Sequence, residues 1–183
     1  MTDDGQEAEW VRRSIAGDTR AFGHLVERYQ RRLLTAVTRS VGRQGLAEDI
    51  VQDAFLRAFE AIGRFEARSS FYTWLYRIAF NLVSSRRRSR RLGNPAGPVP
   101  VEQAEADETM NPRVQAEVEE RRDRIRQAIG ELADTFRLPL VLREIEGMNY
   151  EQIGEVLRLP VGTVKSRIHR ARTELRDKLR DLL

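Results

Sequence analysis

The sequence predicts an all-α chain: two small helical domains joined by a flexible acidic linker, the C-terminal one a helix-turn-helix. Three observations predict it. Apolar residues recur at helical spacing on both sides of the middle of the chain, and no strand-like alternation persists. Residues 93–112 hold Pro95, Pro98, Pro100 and Pro112, the acids Glu102, Glu105, Asp107 and Glu108, no base and no helical period. Residues 148–175 read as two helices broken at Arg158-Leu159-Pro160, because proline lacks the amide for an internal helical bond and restricts the residue before it.

The expected segments are an acidic N-terminal tail (1–14), a first helical domain (15–92), the linker (93–112) and a second helical domain (113–183). In the first domain Gly17-Asp18 supplies a turn and a cap. Phe22, Leu25, Val26, Tyr29 and Leu33 follow as a core-facing stripe. The next helix covers about 46–62, with Ile50, Ala54, Ala58 and Ile62 on a buried line widened by Val51 and Phe55. Asp49, Gln52, Asp53 and Glu60 lie off that line. Residues 65–70 interrupt the pattern. A third helix, 71–88, turns Phe71, Trp74, Leu75, Ile78 and Leu82 inward and shows Tyr72, Tyr76, Arg77 and Asn81 outward.

In the second domain Asn149 and Gln152 form the two halves of a capping box, and Ile153, Val156 and Leu157 an apolar face. A second helix starts near Val161. Val164, Ile168, Ala171 and Leu175 fall inward at about 100° per residue. Gly162, Ser166, His169, Arg170 and Thr173 point outward, flanked by Lys165. That face is short, polar and basic, as a helix lying in a DNA major groove requires. The plainer reading is a solvated surface helix.

Charge is segregated rather than spread. The 183 residues are 33% charged with a formal net charge of +4, and the pI is near 9.9. Residues 86–91 (RRRSRR) hold five arginines in six positions. Residues 165–180 carry seven lysines or arginines against two acids. A polyanion is therefore the expected partner. Aromatics beside arginines suit single-stranded nucleic acid, where bases stack and phosphates pair with cations. Spacing assigns Trp74 to the core and leaves Tyr72, Tyr76 and Asn81 as candidates for base contact. The run containing Arg86, Arg87 and Arg88 reads as a phosphate clamp.

The absence of cysteine excludes disulfides and thiolate metal sites. His24 and His169 are far apart and lack acidic neighbours at ligand spacing, so no metal and no cofactor is expected. No stretch approaches the roughly 18 apolar residues of a membrane span, and the first ten residues lack the order of a signal peptide. The expectation is a soluble, cytoplasmic protein without membrane insertion. Asp49, Asp53 and Glu60 could be imagined as ligands of a metal-dependent nuclease. No histidine or glycine-rich phosphate loop supports catalysis, and the chain is not read as an enzyme.

Four blocks in order, GDTRAFGHLVERY, AEDIVQDAFLRAF, FYTWLYRIAFN and LPVGTVKSRIHRAR, closely resemble bacterial sigma factors of the extracytoplasmic-function (ECF) group, of the envelope-stress type. The resemblance covers residues 15–91 and 113–179. It implies a transcription initiation factor that binds core RNA polymerase and directs it to promoters, reading duplex −35 and melted −10 DNA. Asp49, Gln52 and Asp53 match the positions that dock on the β′ clamp helices. The first domain corresponds to region 2, and Phe65 and Asn81 match the pocket for a flipped −10 base. Tyr72, Tyr76, Arg77, Arg86, Arg87 and Arg88 complete the candidate −10 set. The loop after Phe65 commonly reads arginine-glycine-aspartate in relatives, whereas this chain has Glu66-Ala67-Arg68.

The second domain corresponds to region 4. Lys165, Ser166, His169 and Arg170 match positions that contact base edges or adjacent phosphates of the −35 element, with Arg167 and Arg172 on the backbone. The acidic linker resembles the connector that threads the polymerase channels. Core polymerase (β′ clamp helices and β flap), promoter DNA and an anti-sigma factor are the implied partners. The alternative is a stand-alone helix-turn-helix regulator, which explains residues 148–175 but neither the Asp49/Gln52/Asp53 helix nor the 71–91 block.

Overall fold

A computed structural model describes residues 3–91 and 112–180. The stretch 93–111, read above as the acidic linker, lies outside the described residues. Those described form eight α-helices and one 3-10 turn, and no strand occurs among them. The chain is all-α, as its periodicity predicts.

The N-terminal domain comprises α1 (Asp3–Ile15), α2 (Thr19–Val41), α3 (Gln44–Ala61), a 3-10 turn (Ile62–Arg64) and α4 (Phe71–Arg91). Asp18 caps α2 by accepting from the amides of Arg20 and Ala21 at 2.9 and 3.1 Å. Arg13 pairs with the same carboxylate, and this bond, with the amide of Ala21, holds it below the usual aspartate range. Gly42 ends α2 with φ +70°, a left-handed cap that glycine adopts without penalty. Leu25, Leu33 and Ala36 from α2 meet Ile50 and Ala54 from α3 and Leu75 and Ala79 from α4, all fully buried. The predicted stripes thus supply the core, with Val26, Trp74 and Ile78 half-buried against it.

The acidic tail expected over 1–14 is instead helix α1, which packs on α2. Trp10 and Val11 lie against the core. Ser14 is buried and donates to the Trp10 carbonyl at 2.7 Å. Glu7 accepts from the Tyr29 hydroxyl and pairs with Arg28. Four acids among its thirteen residues mask its short apolar stripe in the sequence.

The C-terminal domain comprises α5 (Pro112–Glu131), α6 (Asp134–Glu144), α7 (Tyr150–Leu157) and α8 (Val161–Lys178). The capping box forms as read: Gln152 N–H donates to Asn149 at 2.8 Å, and Asn149 N–H to the Gln152 side chain at 2.9 Å. Arg158 closes α7 in the left-handed region (φ +55°), Leu159 N–H returns to the Gly154 carbonyl, and Pro160 opens α8. Val164, Ile168 and Ala171 are buried. Gly154 matters for a different reason. A Cβ there would stand 2.9 Å from the Leu159 carbonyl oxygen, so only glycine lets the turn fold this tightly.

The two domains are in contact. Helix α4 packs on α7, and α2 on α5 and α6.

Candidate nucleic-acid interface

Helix α8 presents Lys165, Ser166, His169 and Arg170 to solvent, with Arg167 half-buried beside them. Ser166 Oγ donates to the Thr163 carbonyl at 3.0 Å. Lys165 Nζ stands 5.4 Å from the centre of the Tyr150 ring, and the Arg143 guanidinium 4.9 Å from it. One aromatic ring therefore steadies two cations at the mouth of the helix-turn-helix. Arg172 is held differently: its guanidinium bonds to Glu144 of α6 at 2.6 Å, and that hydrogen bond keeps it more firmly protonated.

On α3, Asp49 and Gln52 are exposed and Asp53 is half-buried. Leu56 (55% exposed) and Phe59 (45%) continue the same helix face. Sequence reasoning passed over these two. The signal was available, since both are apolar and both lie off the buried 50/54/58 line.

The remaining candidates divide between two sides of α4. Phe65 is half-buried, its ring 5.0 Å from Trp74 and 6.2 Å from Phe71, with Arg77 half-buried and Asn81 exposed on that side. The loop between holds Ala67 at φ +52°, a left-handed conformation that glycine takes without penalty. Tyr72 and Tyr76 lie on the other side, about 140° around the helix from Asn81 for Tyr76. The expectation that both face outward is corrected here. Tyr72 is half-buried and Tyr76 fully buried, because the C-terminal domain covers them. Arg86 is exposed on α4. The side chains of Arg87 and Arg88 fall outside the described residues.

What covers the tyrosines is a carboxylate. Glu146, on the turn after α6, has a side chain only 1% exposed. Its Oε2 accepts from the Tyr76 hydroxyl at 2.6 Å, the Tyr72 hydroxyl at 3.0 Å and Arg32 Nε at 2.9 Å. Burial, and then the neighbouring carboxylate, push both tyrosine hydroxyls well above the ordinary range. Sequence reasoning assigned Glu146 no role.

An apolar groove crosses the opposite flank of the C-terminal domain, lined by Ile129, Leu140, Val141, Ile145, Leu175 and Leu179, with Glu144, Arg172 and Arg176 at its rim. Among the described residues, no cluster of three or more His, Asp or Glu could hold a metal ion. No described helix is long and apolar enough to cross a membrane.

Residues 25–92 match the family model for sigma-70 region 2, and residues 122–175 that for sigma-70 region 4. The RNA polymerase sigma-H factor of Pseudomonas aeruginosa is 41% identical over 97% of this chain and 96% of its own length. The ECF RNA polymerase sigma-E factor of Escherichia coli K12 is 37% identical over 94% of each. Among solved structures, CnrH in complex with the cytosolic domain of CnrY aligns with a TM-score of 0.69 and 29% identity, covering 96% of this chain and 98% of that one. The sigma factor RpoE of Bartonella quintana, solved with the anti-sigma factor NepR, shares the fold (TM-score 0.70, 23% identity, 87% of this chain and 96% of that one). Two ordered helical domains, matched separately by region 2 and region 4 and jointly by full-length relatives, place this chain in the sigma-70 family of RNA polymerase sigma factors, within its ECF group.

Proposed function

We propose that this chain is a promoter-specificity subunit: it binds core RNA polymerase and brings it to promoters, reading −35 duplex with α8 and melted −10 DNA with the Phe65/Asn81 side of α4. The observation that carries the reading is the pairing, on one chain, of an exposed basic recognition face with the exposed Asp49/Gln52/Leu56/Phe59 face of α3. A stand-alone DNA-binding regulator has no use for the second. Acid, amide and apolar groups together suit a rigid partner helix that carries arginines and apolar side chains. The groove between α5, α6 and α8 suits an apolar segment of the polymerase flap.

Control by an anti-sigma factor belongs to the same reading. The relative CnrH is bound to the cytosolic domain of a second protein, and the apolar groove and the α3 face are the surfaces such a protein would cover here.

The test is transcription by core polymerase lacking any other initiation factor, on genomic fragments, with and without the purified chain. New, discrete start sites are expected. Asn81→Ala should impair opening of duplex promoters while leaving core affinity unchanged. Lys165→Ala with Arg170→Ala should weaken upstream recognition and lower the salt dependence of binding by about one unit for each phosphate no longer neutralised. Tight duplex binding without any affinity for core enzyme would instead establish the stand-alone regulator.

A further inference from the structure

We infer that Tyr150 is a positioning residue for DNA contact: its ring draws Lys165 off the base-reading face of α8 and sets its ammonium group against a backbone phosphate. The inference rests on the reading of α8 as the −35 helix, and it divides the work within that helix.

Position around the helix is the first ground. Adjacent helical residues stand about 100° apart, so Lys165 lies well round from Ser166, which shares the middle of the outer face with Thr173. By the same spacing Lys165 shares its edge of α8 with Arg172. That edge is turned toward α6 and α7: Arg172 reaches Glu144 of α6 at 2.6 Å. Lys165 Nζ stands 5.4 Å from the centre of the Tyr150 ring, in the first turn of α7.

The ring is a fixed support. Tyr150 is half-buried against the core, directly after the capping residue Asn149. The Arg143 guanidinium lies 4.9 Å from the same ring centre and donates to the Met148 carbonyl at 2.8 Å. The ring is therefore braced from α6 before Lys165 meets it. Among the described residues, no ion pair joins Arg143 or Lys165 to a carboxylate. Their charge is left for an anion from outside.

Docking geometry supplies the consequence. In a helix-turn-helix the first helix crosses the DNA backbone, and the N-terminal residues of the second reach base edges. By its place early in α8, Lys165 would be a base reader. Held over the ring of α7, its ammonium stands on the backbone side instead. A lysine is also a compact point charge without the fixed fork of arginine, which suits a phosphate. Ser166, His169 and Arg170 keep the base edges.

The test uses holoenzyme, core polymerase with the full chain, on a promoter found by the start-site experiment above. Duplexes carry the native −35 element or single base-pair substitutions along it, and binding is measured at several salt concentrations. Lys165→Ala should lower the salt slope by about one and weaken every duplex by the same factor, leaving the order of preference intact. Tyr150→Leu should weaken binding about two- to fivefold with the slope retained, because Lys165 still reaches the phosphate but must be ordered on binding. Tyr150→Phe keeps the ring and should match wild type. In a Lys165→Ala background Tyr150→Leu should add nothing.

A Lys165→Ala loss confined to one base pair makes the lysine a base reader and overturns the inference. Equal losses from Tyr150→Leu with and without Lys165 make the tyrosine merely structural and overturn it too. Lys165 is exposed, so the pattern of its variant decides the matter even where Tyr150→Leu does not fold. A wild-type chain that brings core enzyme to no promoter sinks the functional reading and this inference together, whereas the two failures above sink this inference alone.

Discussion

Arg86 on α4 reaches back to Asp53 on α3 and pairs with it at 2.8 Å. The candidate phosphate clamp and the candidate polymerase-docking face therefore share one ion pair in the free chain. Both partners are partly exposed, so the pair contributes at most about 1 kcal/mol to stability. Its interest lies in competition: a polymerase group that takes Asp53 leaves Arg86 free for DNA.

Asp53→Asn should accordingly leave the thermal melt nearly unchanged while weakening binding to core polymerase by about tenfold, or 1.4 kcal/mol. Equilibrium binding to labelled core enzyme checks this. Equal affinity would remove Asp53 from the docking face.

Ala67→Gly should stabilise the chain. A left-handed alanine costs about 1–2 kcal/mol relative to its relaxed conformation, and glycine returns about 0.4–1 kcal/mol of that as unfolded-state entropy. The net gain is about 0.5–1 kcal/mol, read as a higher midpoint in urea or on heating. A lower midpoint would show that the loop does not hold φ +52° in solution.

Gly154→Ala should destabilise the helix-turn-helix by about 1–3 kcal/mol, because the added methyl meets a backbone oxygen that cannot swing away. Gly130→Ala on α5 is the contrast. Nothing stands within 4 Å of its Cβ, and replacing a helical glycine there should gain about 0.5–1 kcal/mol. The two melts should move in opposite directions; the same sign for both would mean the α7–α8 turn is looser than its geometry.

Alkaline titration tests the burial of the tyrosines. Tyr29, Tyr72 and Tyr76 all carry raised hydroxyl pKa values, burial being the largest cause in each. A raised folded value means the fold favours the neutral phenol. That stability is fully present below the unfolded value of about 10 and is lost as pH rises through the folded values. In the native chain three of the four tyrosines should ionise later than in the urea-unfolded chain, followed by tyrosinate absorbance. Coincident curves would place these hydroxyls in water.

The parts of the fold legible in sequence are those written locally. Helices α2, α3, α4, α7 and α8 follow from apolar spacing, and their ends from Asp18, Asn149, Gln152 and Pro160, whose effects reach only a few residues. Helix α1 escaped because its acids dominate its composition while Trp10, Val11 and Ser14 carry its packing. The exposed candidates were legible for the same local reason: Asp49, Gln52, Asn81, Lys165, Ser166, His169 and Arg170 all lie off their helix's apolar line. Leu56 and Phe59 were hidden by the habit of reading every apolar residue as core.

By itself, then, the chain of residues determined that helices α2, α3, α4, α7 and α8 form, which face of each is turned to its own domain's core, and that a basic helix follows a capped one across a proline turn. Only the tertiary structure decided that Tyr76 is covered, that Arg172 is tied to Glu144, and that Glu146 joins the domains. Those outcomes depend on groups 28 to 114 residues apart. Helical periodicity reports how a side chain stands to its own near neighbours, whereas a pairing at that distance exists only once the domains have packed.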